Sequence, residues 1–193
     1  MIKLKYGNTN TFYIQCNNSG LLIDTDYAGT LSAFYQSIKA ENITLRDIKY
    51  VLATHYHPDH IGLVSILMKL GVKLLLIDVQ AESVHFADKI FARERHLGYT
   101  PIDESQATII SLDSSRAFLQ KLSISGEIIH TPSHSEDSIS VILDNGDCFV
   151  GDLEPVEYLS AYDNNTALEQ DWHSIMSRQP RRIFYAHANE KIL

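Results

Sequence analysis

VLATHYHPDHIG, residues 51–62, places three histidines and an aspartate in the six positions 55–60, directly after a largely apolar run. A surface loop has no packing use for that pattern, and a solvated face would carry Lys and Glu. Metal ligation accounts for it, because imidazole nitrogens and carboxylate oxygens are donors for zinc, iron and manganese. In an extended turn, residues two apart point the same way. His55 and His57 can therefore grip one ion while Asp59 and His60 face another, with Pro58 stiffening the bend.

Working outward, "KYVLAT" reads as a short buried strand and "IGLVSILMKLG" as a helix stopping at Gly71, so the crowded histidines stand at a strand-to-helix corner. Upstream, "TFYIQC" and "GLLIDT" read as a hairpin around "NNSG", ending at Asp24. A helix follows with Leu31, Phe34, Tyr35 and Ile38 at helical spacing. Downstream, "VKLLLID" predicts a strand, "VQAESVHFADKIFARER" a long helix and "TPIDESQ" a polar connector. The second half is strand-rich: "ATIISL", "AFLQKL" and "GEIIHT" read as strands, and "SISVIL" and "DCFVGD" as a hairpin joined at "DNG". "TALEQDWHSIMSRQ" predicts an amphipathic helix with Leu168, Trp172, Ile175 and Met176 inward, and "RRIFYAH" a closing strand. This order implies an α/β (α+β) protein of two sheets packed face to face with helices outside.

Three more donors follow apolar β-runs: His134 in "TPSH", Asp152 in "VGDL" and His187 in "YAH". With His55, His57, Asp59 and His60 they exceed what one tetrahedral ion takes, and two ions sharing a carboxylate would use all of them. His85, His96, His130 and His173 lack such company and read as surface, loop or core residues, although the strand bearing His130 leads toward the site.

Composition narrows the function classes. At 193 residues the chain fits a single domain, 1–193, large enough for a core without staples. Its formal charge of -8 argues against a nucleic-acid partner, which "RQPRR" is too short to reverse. Cys16 and Cys148 form no CxxC pattern and read as thiols of a cytoplasmic protein. "MIKLKYGNTN" lacks the apolar core of a signal peptide, and the run "LLLI" is far too short to cross a bilayer.

"THYHPDH", "TPSH", "GDL" and the late "AH" together resemble the ordered ligand motifs of the metallo-β-lactamase fold family of metallohydrolases, over nearly the whole chain. That resemblance implies a four-layer αββα sandwich. It implies a first metal site of His55, His57 and His134, a second of Asp59, His60 and His187, and Asp152 as the bridge. It also implies that Asp24 supports a ligand from behind. Two divalent ions, zinc first and iron or manganese as alternatives, would supply a metal-bridging hydroxide, with Asp59 as the catalytic group orienting it. The chain departs from the family pattern at Ser133 and Asp137, and again at Ala186 and Ala188, where glycine is common.

The implied activity is hydrolysis of a small-molecule thioester, lactone or other ester. Glyoxalase II-like thioesterases add a C-terminal helical region, whereas this sequence runs six residues past His187; cysteine-bearing β-lactamases place Cys at the Asp152 position, and nucleases of the fold add basic exosites. The alternative is an iron protein of the same fold, flavodiiron-like or persulfide dioxygenase-like, that binds or reduces oxygen. Tyr158 stands where some lactone-cleaving relatives place a carbonyl-polarising tyrosine, and ordinary loop packing is the competing reading.

Overall fold

The computed structural model describes residues 1–17, 19–161 and 165–193; Asn18, the middle of the expected "NNSG" turn, lies outside the described residues. The first sheet runs in sequential order through β1 (Ile2–Leu4), β2 (Thr11–Cys16), β3 (Ser19–Ile23), β4 (Ile48–Leu52), β5 (Lys73–Ile77) and β6 (Thr108–Ile110). Its first three strands are antiparallel, and β3 to β6 are parallel. The second sheet contains β7 (Gly126–His130), β8 (Ile139–Leu143), β9 (Asp147–Phe149), β10 (Arg182–Phe184) and β11 (Lys191–Ile192) in the order β11-β10-β9-β8-β7.

Alternation along the strands builds the layers. Phe12, Ile14, Leu21, Ile23, Leu52, Leu75 and Ile77 meet Ile128, Val141, Leu143, Phe149 and Phe184 in one core between the sheets. Their neighbours Tyr13, Leu22, Val51, Leu74 and Leu76 turn to the other face and meet Phe34 and Ile38 of α1 (Leu31–Ala40), Ile61 of α2 (Pro58–Ile61) and Val64 and Leu67 of α3 (Val64–Lys69). On the far side, Ile142, Cys148 and Ile183 pack against Leu168, Trp172 and Ile175 of α6 (Thr166–Met176). The sequence of layers is therefore αββα. Cys16 and Cys148 are both buried, and no helix among the described residues is long and apolar enough to cross a membrane.

Three expectations are corrected. "AFLQKL" is not a strand but most of α5 (Ser115–Lys121), whose Leu119 enters the core between the sheets with Phe118 and Leu122 beside it. That spacing is helical, and the 3-10 turn before the helix starts at a serine cap, Ser111, whose hydroxyl accepts from the Ser114 amide. The long helix expected after β5 is broken into a 3-10 turn (Asp78–Ser83) and the short α4 (Asp88–Phe91). The break is explained by Gln80, which is buried and donates to the carbonyls of Ala53 and Asp137 rather than facing solvent on a helix. Finally, Met176 is exposed, and Asp171 occupies the buried face instead.

Trp172 ties α6 to the sheet, because it is buried and its indole N–H donates to the Glu154 carbonyl at 2.8 Å. Trp172→Phe removes that bond and part of the packing. A destabilisation of about 1–2 kcal/mol is expected, read as a lower urea midpoint with unchanged slope.

Candidate metal centre

The C-terminal ends of β3, β4, β7, β9 and β10 lie along one edge, where Asp24, the 55–60 cluster, His134, Asp152 and His187 leave the sheets. The corner after β4 is held by the chain itself. His57 is the extended residue capping α2, and Pro58 fills the first helical position, where no amide donor is required. The backbone amide and hydroxyl of Thr25 both donate to the His60 carbonyl at 2.9 Å, pinning the far end of this short helix.

All seven expected donors meet there. His55, His57, His134 and Asp152 offer ligand atoms all within 4.8 Å of one another, and Asp59, His60 and His187 do the same. His57 Nδ1 lies 2.9 Å from His55 Nε2 and 3.2 Å from His134 Nε2. Asp59 Oδ2 lies 3.1 Å from His187 Nε2 and 4.0 Å from His60 Nε2. Asp152 faces both groups: Oδ1 is 3.3 Å from both His60 and His187 Nε2, while Oδ2 is 3.9 Å from His55 and 3.8 Å from His134.

This donor set fits metal ions. Both ring nitrogens of His60 and Oδ1 of Asp152 are buried yet lack a hydrogen bond of acceptable geometry, although they stand side by side. Buried polar atoms of this kind are costly without partners, and nitrogen plus carboxylate donors suit divalent zinc, iron or manganese.

The electrostatics differ between the groups. Burial and the surrounding imidazoles hold His55 far below the usual histidine range, so it is neutral and able to donate a lone pair. Burial also opposes charge on His60, but the carboxylates of Asp24 and Asp152 outweigh it and push its pKa up to about 10. The hydrogen bond with His187 holds Asp59 down at about 2, and the same contact raises His187.

Asp24 supports the cluster from behind. It is buried in the left-handed region at φ 58, accepts from the Thr54 amide at 2.6 Å and sits 3.2 Å from His60 Nδ1. Asn tolerates that conformation, so Asp24→Asn isolates the charge. Metal affinity is expected to fall about 10–100-fold, measured by competition with a chromophoric chelator.

Several supporting residues escape a reading of the sequence alone. Asp137, at a position where glycine is common in the family, accepts from the Tyr56 amide at 2.7 Å and from the Ser135 hydroxyl at 2.8 Å, tying the His134 loop to the 55–57 turn. Asp171 of α6 accepts from the Ser133 amide at 2.8 Å, and Gln80 bridges the β4 end to Asp137. Phe86 lies 5.1 Å from the His57 ring, centroid to centroid. His130 is kept out of the cluster by its contact with the Glu136 carbonyl at 2.7 Å, and His85 pairs with Asp88 and Glu104 elsewhere.

The family model described as metallo-beta-lactamase superfamily matches residues 4–187. Among curated proteins, the chain is 26% identical over 187 residues to a beta-lactamase-like protein 2 homolog of Drosophila melanogaster, covering 94% of this chain and 59% of that protein. It is 31% identical over 147 residues to the atrochrysone carboxyl ACP thioesterase of Passalora fulva, covering 74% of this chain and 35% of that protein. Both relatives are thus considerably longer than the chain. Among solved structures, TTHA1623 in a di-iron-bound form superposes with a TM-score of 0.69 at 22% identity, covering 99% of this chain and 93% of that one.

Proposed function

Because the chain belongs to the metallo-beta-lactamase superfamily, we propose that it is a metal-dependent hydrolase of a small-molecule thioester, lactone or other ester. The placement of Asp152 supports this reading most, since its two oxygens face two separate donor groups. His55, His57 and His134 would hold one divalent ion and Asp59, His60 and His187 the other, with Asp152 shared. Such ions, when bound, polarise a carbonyl and make water nucleophilic near neutral pH.

The protein's own groups do the positioning. Asp59, as a carboxylate beside His60 and His187, would serve as an acceptor that orients the attacking water. Asp24 keeps the His60 ring turned toward Asp152, and Asp137 and Asp171 brace the His134 loop. No serine or cysteine nucleophile enters this scheme. The thioesterase name of the Passalora relative puts thioesters first among substrates, and the buried thiols suit a reducing cytoplasm.

Purification without added metal, followed by elemental analysis and a panel of thioesters, lactones and phosphodiesters, tests the reading. About two ions per chain are expected, zinc foremost, with turnover of a thioester or lactone and none of the phosphodiesters. Tightly held iron with visible absorbance and no ester turnover would replace this reading by iron-based oxygen chemistry.

A further inference from the structure

A cavity of about 320 Å³ opens beside His134, Asp152 and His187, and its remaining wall includes Leu153, Glu154, Pro155, Tyr158, Tyr185 and Ala188. At about 30 Å³ per water-sized volume, it has room for roughly ten non-hydrogen atoms. Among the described residues, no Lys or Arg lines this wall. Lys191 pairs with Glu157, next to Tyr158, so that charge is already engaged. Two large aromatic side chains stand beside the donor cluster and are left unusually open. Tyr158, on the 3-10 segment Val156–Ala161, is 51% exposed, and Phe86, against the His57 ring, is 55% exposed.

Resting on the hydrolase reading above, we propose that this cavity takes the uncharged, ring-bearing acyl part of a thioester or ester, with Tyr158 as the residue that selects it and Phe86 extending the apolar surface on the His57 side. An aromatic acyl group covers the open Tyr158 ring and fills space walled by Leu153 and Pro155. An acyl group ending in a second carboxylate loses its water against the same apolar wall, where no Lys or Arg among the described lining residues stands to pair with it. The Tyr158 ring, rather than its hydroxyl, performs the selection.

The test uses the metal-loaded full chain and N-acetylcysteamine thioesters of similar size, benzoyl against succinyl, with acetyl as the small reference. Benzoyl is expected to exceed succinyl in kcat/KM by about 50-fold or more. Tyr158→Ala should lower the benzoyl-to-acetyl ratio about tenfold, mainly through KM, while Tyr158→Phe holds that ratio within about twofold. Binding of the corresponding non-hydrolysable amides, followed by ligand-observed NMR, separates the two levels of the reading. Binding of the benzoyl amide in preference to the succinyl amide, without turnover of any thioester, supports the cavity assignment and removes hydrolysis. Equal turnover of benzoyl and succinyl, equal binding of the two amides, no binding of either, or a ratio unmoved by Tyr158→Ala overturns the cavity assignment. In the first of these cases hydrolysis itself stands.

Discussion

Asp152→Ala is expected to lower kcat/KM for the best ester or thioester substrate by about 10³-fold or more, and to drop the metal content from about two ions toward one per chain. The reason is geometric. Asp152 is the residue whose carboxylate reaches both donor groups, at 3.3 Å on one side and 3.8–3.9 Å on the other. The three histidines left in the first group still form a site of their own, whereas the second group loses the carboxylate that stands 3.3 Å from both His60 and His187. The fold is expected to survive, because the side-chain contacts of Asp152 are with the histidines of the site and not with any of the three apolar cores. Circular dichroism and elemental analysis on the same sample, alongside kinetics, check the point. Two retained ions with full turnover would remove Asp152 from the shared position.

Gly62→Ala is expected to cost about 3 kcal/mol or more and to abolish turnover together with the fold's tight corner. Gly62 has ordinary helical angles, so conformational freedom is not the issue. A Cβ there would stand 2.1 Å from the Ala28 amide nitrogen, 2.3 Å from the Tyr27 carbonyl carbon and 2.5 Å from the Asp26 carbonyl oxygen. All three are backbone atoms, which cannot swing aside like the end of a side chain. Relief requires moving either the 26–28 segment or the α2–α3 corner, and the latter is tied to Thr25 through the His60 carbonyl. His60 is the most deeply buried of the seven donors, so the displacement reaches the centre directly. A urea melt gives the stability loss, and chelator competition the loss of metal affinity. A variant with wild-type midpoint and affinity would show that the close packing at Gly62 is not required.

Much of this architecture is legible in the residues. Alternation such as Leu21, Leu22, Ile23 or Leu74, Leu75, Leu76 marks strands buried on both faces, which only a sheet covered on two sides provides. The donors are legible because ligand types crowd into residues 55–60 and recur after later strands, where packing gives them no purpose. What sequence spacing misses is set by tertiary contact. The segment after β5 has helical composition, yet the buried amide of Gln80 serves backbone carbonyls of two other loops, and no local pattern announces that. Asp137 and Asp171 look like ordinary loop and helix-surface acids, and only their distant amide partners, Tyr56 and Ser133, give them roles. The short β1 and β11 have too few residues for a periodic signal and exist because β2 and β10 offer them edges. The helix α5 is a different case, since Phe118, Leu119 and Leu122 do carry helical spacing and "AFLQKL" is short enough to read either way.

Diffraction from metal-saturated crystals, with anomalous data collected at the edge of the ion found by elemental analysis, addresses the centre itself. The account predicts two peaks about 3.5–4 Å apart, one within bonding distance of His55, His57 and His134 and the other of Asp59, His60 and His187, with Asp152 touching both. A lone peak, no peak, or ions seated on other residues would contradict it.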